Sequence, residues 1–219
     1  MELVRRTNPK ARVIYDAEAL WYRREQLRRR LGFSSSYPRF ESAKAEFSII
    51  ESADYVISVS DAEKELISQK LGRSSRVILL GHPHAANPTR TPFEERQDLL
   101  FLGGSKSSPG PNDDAAIHFA RTVFPRIQHK IPGIRFIIAR SNVPQSVKRL
   151  ASDSVLVIGY VEDLKQLYES ARVFVAPIRF GSGTMWKVTE ARSYALPCVL
   201  STVAAEGGNH RWRRSAHRE

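Results

Sequence analysis

The chain has 219 residues, 42% of them hydrophobic and 26% charged, which allows a sizeable core and excludes disordered, collagen-like and fibrous classes. Its single cysteine, Cys198, excludes an intramolecular disulfide or a multi-cysteine zinc site, and no apolar run reaches the roughly 18–20 residues of a membrane span. The formal charge of +11 gathers at the ends: residues 1–30 hold nine Lys/Arg against four Asp/Glu, and residues 209–219 four arginines against one glutamate.

Strands are predicted over 12–15, 55–58, 76–80, 99–102, 135–139, 155–158, 173–176 and 198–201. These runs are short, continuous and rich in Val, Ile, Leu and Phe, as parallel strands covered on both faces are. Between them, helical patterns occupy 18–31, 40–53, 62–71, 113–129, 144–151, 163–171 and 186–194. Ser60-Asp61-Ala62-Glu63 reads as a capping box. Asn112 is placed to cap the helix that starts at Asp113-Asp114, whose carboxylates suit the positive end of the helix dipole. Strand and helix alternate throughout, the pattern of an α/β chain with a Rossmann-like, doubly wound parallel sheet.

The segment 82–97, rich in proline and without periodicity, reads as a linker between residues 1–81 and a second unit over 98–208. The arginine-rich stretch 209–219 has neither helical nor strand pattern and reads as a disordered tail or an interrupted end. Charge confined to the termini is a poor match to a phosphate-neutralising groove, so no nucleic-acid partner is expected. The basic first helix offers a surface for peripheral contact with an anionic membrane. MELVRRTNPKAR has no signal-peptide core, which suits a cytoplasmic protein.

The densest chemical signal runs from Arg179 to Glu190. A strand ends, a loop with Gly181, Ser182, Gly183 and Thr184 follows, and a helix begins. Glycines let a ligand approach the backbone, and the free N–H groups of a first helical turn attract anions. Arg179 and Lys187 add formal charge. Glu190, three residues after Lys187, lies on the same helical face, where its carboxylate can accept from paired ribose hydroxyls. The alternative is an ordinary i,i+3 surface pair. His82 and His84 have metal-like spacing without a third ligand, and Asp16 with Glu18 could form an acid/base pair at a strand end.

These stretches resemble the donor domain of GT-B glycosyltransferases of the large retaining family four, the group 1 glycosyl transferases. The likeness is carried by DLLFLGG, PNDDAAIHFARTVFPRI, RFIIA and VLVIGYVEDLKQLYESARVFVAPIRFGSGTMWKVTEARSYALPCVLST, followed by AAEGG. Upstream, RVIYDAEALWYRRE, AEFSIIESADYVISVSDAEKELI and RVILLGHP resemble the last third of the family's acceptor domain, which makes residues 1–81 a partial second Rossmann-like domain and suggests a chain truncated at both ends. The resemblance implies transfer of a sugar from a nucleotide diphosphate sugar, as donor substrate, to a carbohydrate or lipid-linked acceptor, with no cofactor and no metal. It also implies that Glu190 holds the ribose. Gly181, Ser182, Gly183 and Thr184 would lie under the phosphates and sugar, and Gly103, Gly104, Ser105 and Lys106 would form the glycine-rich turn after the domain's first strand. Lys187 and Arg179 would act on the departing diphosphate. The chain departs from the family pattern at Ser182, where a second acid is usual, at Gly104, where an arginine is frequent, and at Arg140, a long side chain in place of glycine that is expected to crowd the nucleotide. A non-catalytic relic and a sugar-nucleotide epimerase fit the same architecture.

Overall fold

The computed structural model describes residues 2–34, 42–104, 110–183 and 185–206. Two parallel sheets organise them. The first joins β1 (Ile14–Ala17), β2 (Tyr55–Ser58) and β3 (Val77–Leu79) in the order β1-β2-β3, with Ile14 opposite Tyr55 and Val56 opposite Val77. Alternation sorts its residues. Ala17, Val56 and Val77 turn to one side and pack with Leu20, Tyr22, Phe47, Ile50 and Ile67. Their neighbours Ile14, Tyr55 and Ile78 are exposed.

Four helices accompany this sheet: α1 (Glu2–Thr7), α2 (Trp21–Arg30), α3 (Ala43–Glu51) and α4 (Asp61–Leu71). The N-cap of α2, Leu20, has no side-chain oxygen to offer. Two buried glutamates from other helices supply it instead. Glu46 accepts from the Trp21 and Tyr22 amides at 3.0 and 2.8 Å, and Glu63 accepts from the Leu20 amide at 3.3 Å. Burial raises the Glu46 carboxyl above its ordinary value, and the two amides offset only part of that rise.

The second sheet has five strands: β4 (Gln97–Leu102), β5 (Phe136–Ala139), β6 (Val155–Ile158), β7 (Ala171–Ala176) and β8 (Cys198–Leu200). Their order is β6-β5-β4-β7-β8, all parallel. Every residue of β5 and five of six in β4 are buried, as sheets covered on both faces require. The helices are α5 (Pro111–His118), α6 (Phe124–Lys130), α7 (Gln145–Lys148), α8 (Lys165–Ser170), α9 (Trp186–Ser193) and α10 (Thr202–Glu206). Phe101, Phe119, Phe124, Phe136, Phe174 and Tyr168 fill the core between them.

The predicted elements are found with shifted bounds, and three differences have physical causes. The single helix expected over 113–129 is interrupted by a π-helical segment, Phe119–Val123. Pro125 has no amide for the Arg121 carbonyl and its ring cannot approach that oxygen, so the helix opens by one residue. Asn112 does not cap α5: Pro111 is already the first helical residue, and the Gly110 amide donates to Asp113 at 3.1 Å. The residues after β8, for which the sequence offered no helical pattern, form α10, with the Ser201 hydroxyl accepting from the Ala204 amide. Helix α1 had no sequence signal. The segment 82–97 lies along α9, where the Asn87 and Thr89 amides donate to the carbonyls of Ser193 and Tyr194. The tail 209–219 lies outside the described residues.

Strand order reverses between β4 and β7, which is the topological switch point where parallel α/β sheets open a crevice at their carboxyl ends.

Candidate functional site

At the switch point β4 runs out into Gly103 and Gly104, and β7 into the loop 181–183 that leads to α9. Lys187, on the first turn of α9, joins the two exits. Its Nζ donates to the Leu102 carbonyl at 2.8 Å and to Asn112 Oδ1 at 2.6 Å, and sits 5.3 Å from the centre of the Phe101 ring. Asn112 Nδ2 in turn donates to the Gly104 carbonyl at 2.5 Å. The glycine turn is thus stitched to two helices from below. A Cβ at Gly103 would meet the Phe101 ring at 3.0 Å and Asn112 Cβ at 3.2 Å, so this position admits little beyond hydrogen. Burial, with Arg140 as a second cause, lowers the Lys187 ammonium to about 7.

The two aspartates of α5 each clasp an arginine from a strand exit. Arg140, after β5, ion-pairs with Asp113, and both side chains are buried. Its Nη2 also donates to the Asn142 carbonyl, so the guanidinium turns back onto α5. Arg179, after β7, forms a two-pronged pair with Asp114, with Nε to Oδ2 at 2.8 Å, and a third of its side chain remains exposed. That pairing raises the Arg179 guanidinium further above its ordinary value. On the outer turn of α9, Glu190 accepts from the Tyr168 hydroxyl at 2.8 Å. Tyr168 is buried and stacks on Tyr194, with ring centres 4.7 Å apart, so the Glu190 carboxylate is held by a fixed phenol.

The carboxyl ends of the first sheet face the same crevice. Gly183, at φ +77°, lies so close to the Glu18 carbonyl that a Cβ would stand 2.0 Å from its oxygen. The Gly183 amide donates to Glu63 Oε1 at 3.0 Å. That oxygen is the same one that receives the Leu20 amide, while Glu63 Oε2 and the Ser182 hydroxyl are buried with no partner among the described residues. Burial raises the Glu63 carboxyl, opposed by the two amides and by Arg23. Arg23 bridges to Glu206 at 2.9 Å, Phe33 packs against Phe180, and Arg28 lies over both rings. The cavity left along this seam measures only about 10 Å³, room for one water-sized sphere.

The residues singled out in the sequence therefore divide into groups. Gly103, Gly104, Gly181, Ser182, Gly183, Arg179 and Lys187 are gathered at the carboxyl edge by the contacts above, and Glu190 lies one turn further along α9. Ser105, Lys106 and Thr184 lie outside the described residues. Arg140 is not extended into the crevice, because Asp113 holds it. Asp16 and Glu18 are exposed, and Glu18 meets the loop through its carbonyl. His82 and His84 are exposed, and among the described residues no group of three or more His, Cys, Asp or Glu is arranged to hold a metal ion. No described helix is long and apolar enough to cross a membrane. Of the basic residues on α2, Arg23, Arg24 and Arg28 are engaged with Glu206, Trp21 and the Phe33–Phe180 pair, which turns part of that face inward. Glu63 was legible only as a helix cap. Ser60 does accept from the Glu63 amide at 3.2 Å, but the Glu63 carboxylate reaches the other lobe instead of returning the bond.

Residues 96–213 match the family described as glycosyl transferases group 1, a span of more than half of the chain. The chain belongs to this family. Sequence comparison with curated proteins gives no significant match. Solved structures superpose on it at low identity. A sucrose-phosphate synthase from Thermosynechococcus elongatus is 17% identical with a TM-score of 0.65, over 93% of this chain and 53% of that one. Anabaena HepE in complex with UDP and glucose is 15% identical with a TM-score of 0.56, over 90% and 54%. S. aureus TarM in complex with fondaparinux, alpha-GlcNAc-glycerol and UDP is 18% identical with a TM-score of 0.52, over 72% and 32%. These likenesses establish the Rossmann-like GT-B fold of this group 1 chain, which spans about a third to about half the length of the proteins it superposes on.

Proposed function

We propose that this group 1 chain binds a nucleotide diphosphate sugar in the crevice between its two sheets and serves transfer of the sugar to a carbohydrate or lipid-linked acceptor hydroxyl. The observation that carries the reading is the convergence of Gly103, Gly104 and the loop 181–183 at the β4–β7 switch point, with Lys187 tying the two together. HepE, bound to UDP and glucose, supports it by fold alone.

In this reading the diphosphate meets backbone N–H groups at the loop and at the start of α9, and Glu190 accepts from the ribose hydroxyls. Lys187 positions the glycine turn, since its donors already serve Leu102 and Asn112. Arg179 keeps an exposed flank from which its charge acts on the departing diphosphate. No metal or cofactor enters the scheme. Titration of UDP, GDP and ADP against the wild type and Glu190→Ala tests it. One nucleotide should bind the wild type at least tenfold more tightly than the variant. Equal affinities, or no binding by either, refute the site.

A second reading is a protein that binds a nucleotide without transferring sugar. It is favoured by the internal pairing of both Lys187 and Arg179. Release of free sugar or transfer from the matching nucleotide sugar by the purified chain would reject it.

A further inference from the structure

The seam contains a carboxylate in the place where an anionic ligand would have to dock. Glu63 comes from α4 of the first lobe, is 2% exposed, and receives the Gly183 amide of the second lobe. A single oxygen, Oε1, takes both that amide and the Leu20 amide, and the other oxygen is buried unpaired. Ser182 Oγ, which lines the same small cavity, is likewise buried with no partner among the described residues. Half of the hydrogen-bonding capacity of a buried carboxylate is therefore unused, an arrangement that disfavours the closed seam relative to one in which those atoms find partners. With only about 10 Å³ of free space, a phosphate group cannot reach the Gly183 amide unless Glu63 withdraws.

We infer that Glu63 is a built-in competitor: its carboxylate occupies the loop's amide donor and closes the two lobes, and a phosphate-bearing ligand binds there by displacing it. The inference rests on the crevice being the nucleotide site. Two acceptors of like charge contend for one N–H, so binding of the ligand and the Glu63–Gly183 contact exclude each other. The Arg23–Glu206 bridge, half-exposed, and the Phe33–Phe180 packing close the seam around the contact without engaging the loop amide.

Two conservative variants separate charge from reach. Glu63→Gln keeps the shape but weakens the acceptor, and Glu63→Asp keeps the charge but withdraws it by one methylene. UDP and inorganic pyrophosphate are titrated against both and the wild type, and exchange of the Gly183 amide proton is followed in the free proteins. Both variants should bind both probes more tightly: Glu63→Gln by about fivefold, the difference between a charged and a neutral acceptor, and Glu63→Asp by a similar factor because its shorter carboxylate no longer reaches the Gly183 amide. The Gly183 amide should exchange at least tenfold faster in each. Unchanged or weaker binding in both variants overturns the competition, and unchanged exchange overturns the clasp. Should no protein bind either probe, the nucleotide reading fails and exchange alone judges the clasp: acceleration sustains it, an unchanged rate removes it.

Discussion

Gly183→Ala would test the seam most directly. The residue sits at φ +77°, and its new methyl would stand 2.0 Å from the Glu18 carbonyl oxygen, a backbone atom that cannot rotate away. Restoring ordinary contact separates the lobes by more than an ångström and breaks the hydrogen bond from the Gly183 amide to Glu63, now 3.0 Å long. A left-handed conformation costs a non-glycine residue about 1–2 kcal/mol, and a hydrogen bond to a charged acceptor contributes about 1.5–3 kcal/mol. The expected loss is about 3–5 kcal/mol, a large share of the stability of a domain of this kind. Gly133 supplies the control, since it has φ +84° and nothing within 4 Å of its would-be Cβ. Gly133→Ala should therefore show the backbone cost alone. Urea unfolding of both variants against the wild type separates the two contributions. If Gly183→Ala costs no more than Gly133→Ala, the tight approach to Glu18 and the Glu63 contact do not hold the lobes together.

Arg140→Ala takes from Asp113, 1% exposed on its side chain, its ion-pair partner and leaves a buried carboxylate with only the Gly110 amide, with an expected loss of about 3–5 kcal/mol; adding Asp113→Asn should recover much of it in the same unfolding assay. Lys187 makes stability depend on pH, because its folded value of about 7 lies below the unfolded 10.5. The sign follows from proton counts: between these values the unfolded chain binds more protons, so this lysine's contribution is present at high pH and is lost as pH falls towards 7. A neutral amine keeps two N–H bonds, enough for Leu102 and Asn112. The stability difference between wild type and Lys187→Met should then move in favour of the wild type between pH 7 and 9, by up to about 1.4 kcal/mol per unit. Parallel pH profiles would remove that account of Lys187.

Strand positions in the second sheet were legible because parallel strands covered on both faces leave continuous apolar runs, and those in the first sheet because Val and Ile persist even on its exposed face. The bounds of β2 and β6 agree with the sequence reading, and β5 differs by one residue. The strand–loop–helix at 173–193 was legible for the same reason, with its glycines marking close approach. The destinations of the charged side chains were not. Lys187 meets Leu102 across 85 positions only because β4 and β7 are neighbours in the sheet, and strand order is not written in local periodicity. Asp113 and Asp114 satisfied a helix-dipole reading so well that their part in holding Arg140 and Arg179 left no separate trace. Glu63 was masked in the same way, by a capping pattern of which only the Ser60 half is used. The π-helical segment was announced by Pro125, which an apolar period alone passes over.

The contacts across the seam join residues far apart along the chain, Glu63 to Gly183 over 120 positions and Arg23 to Glu206 over 183. Each sheet, by contrast, is assembled from strands and helices that follow one another closely. Closing so long a loop has an entropic cost that is met only once both sheets exist to present the partners. Lobe assembly is then expected last on the folding route and parting of the lobes first in unfolding, an order that faster exchange of the Gly183 amide than of the β4 and β5 amides would register.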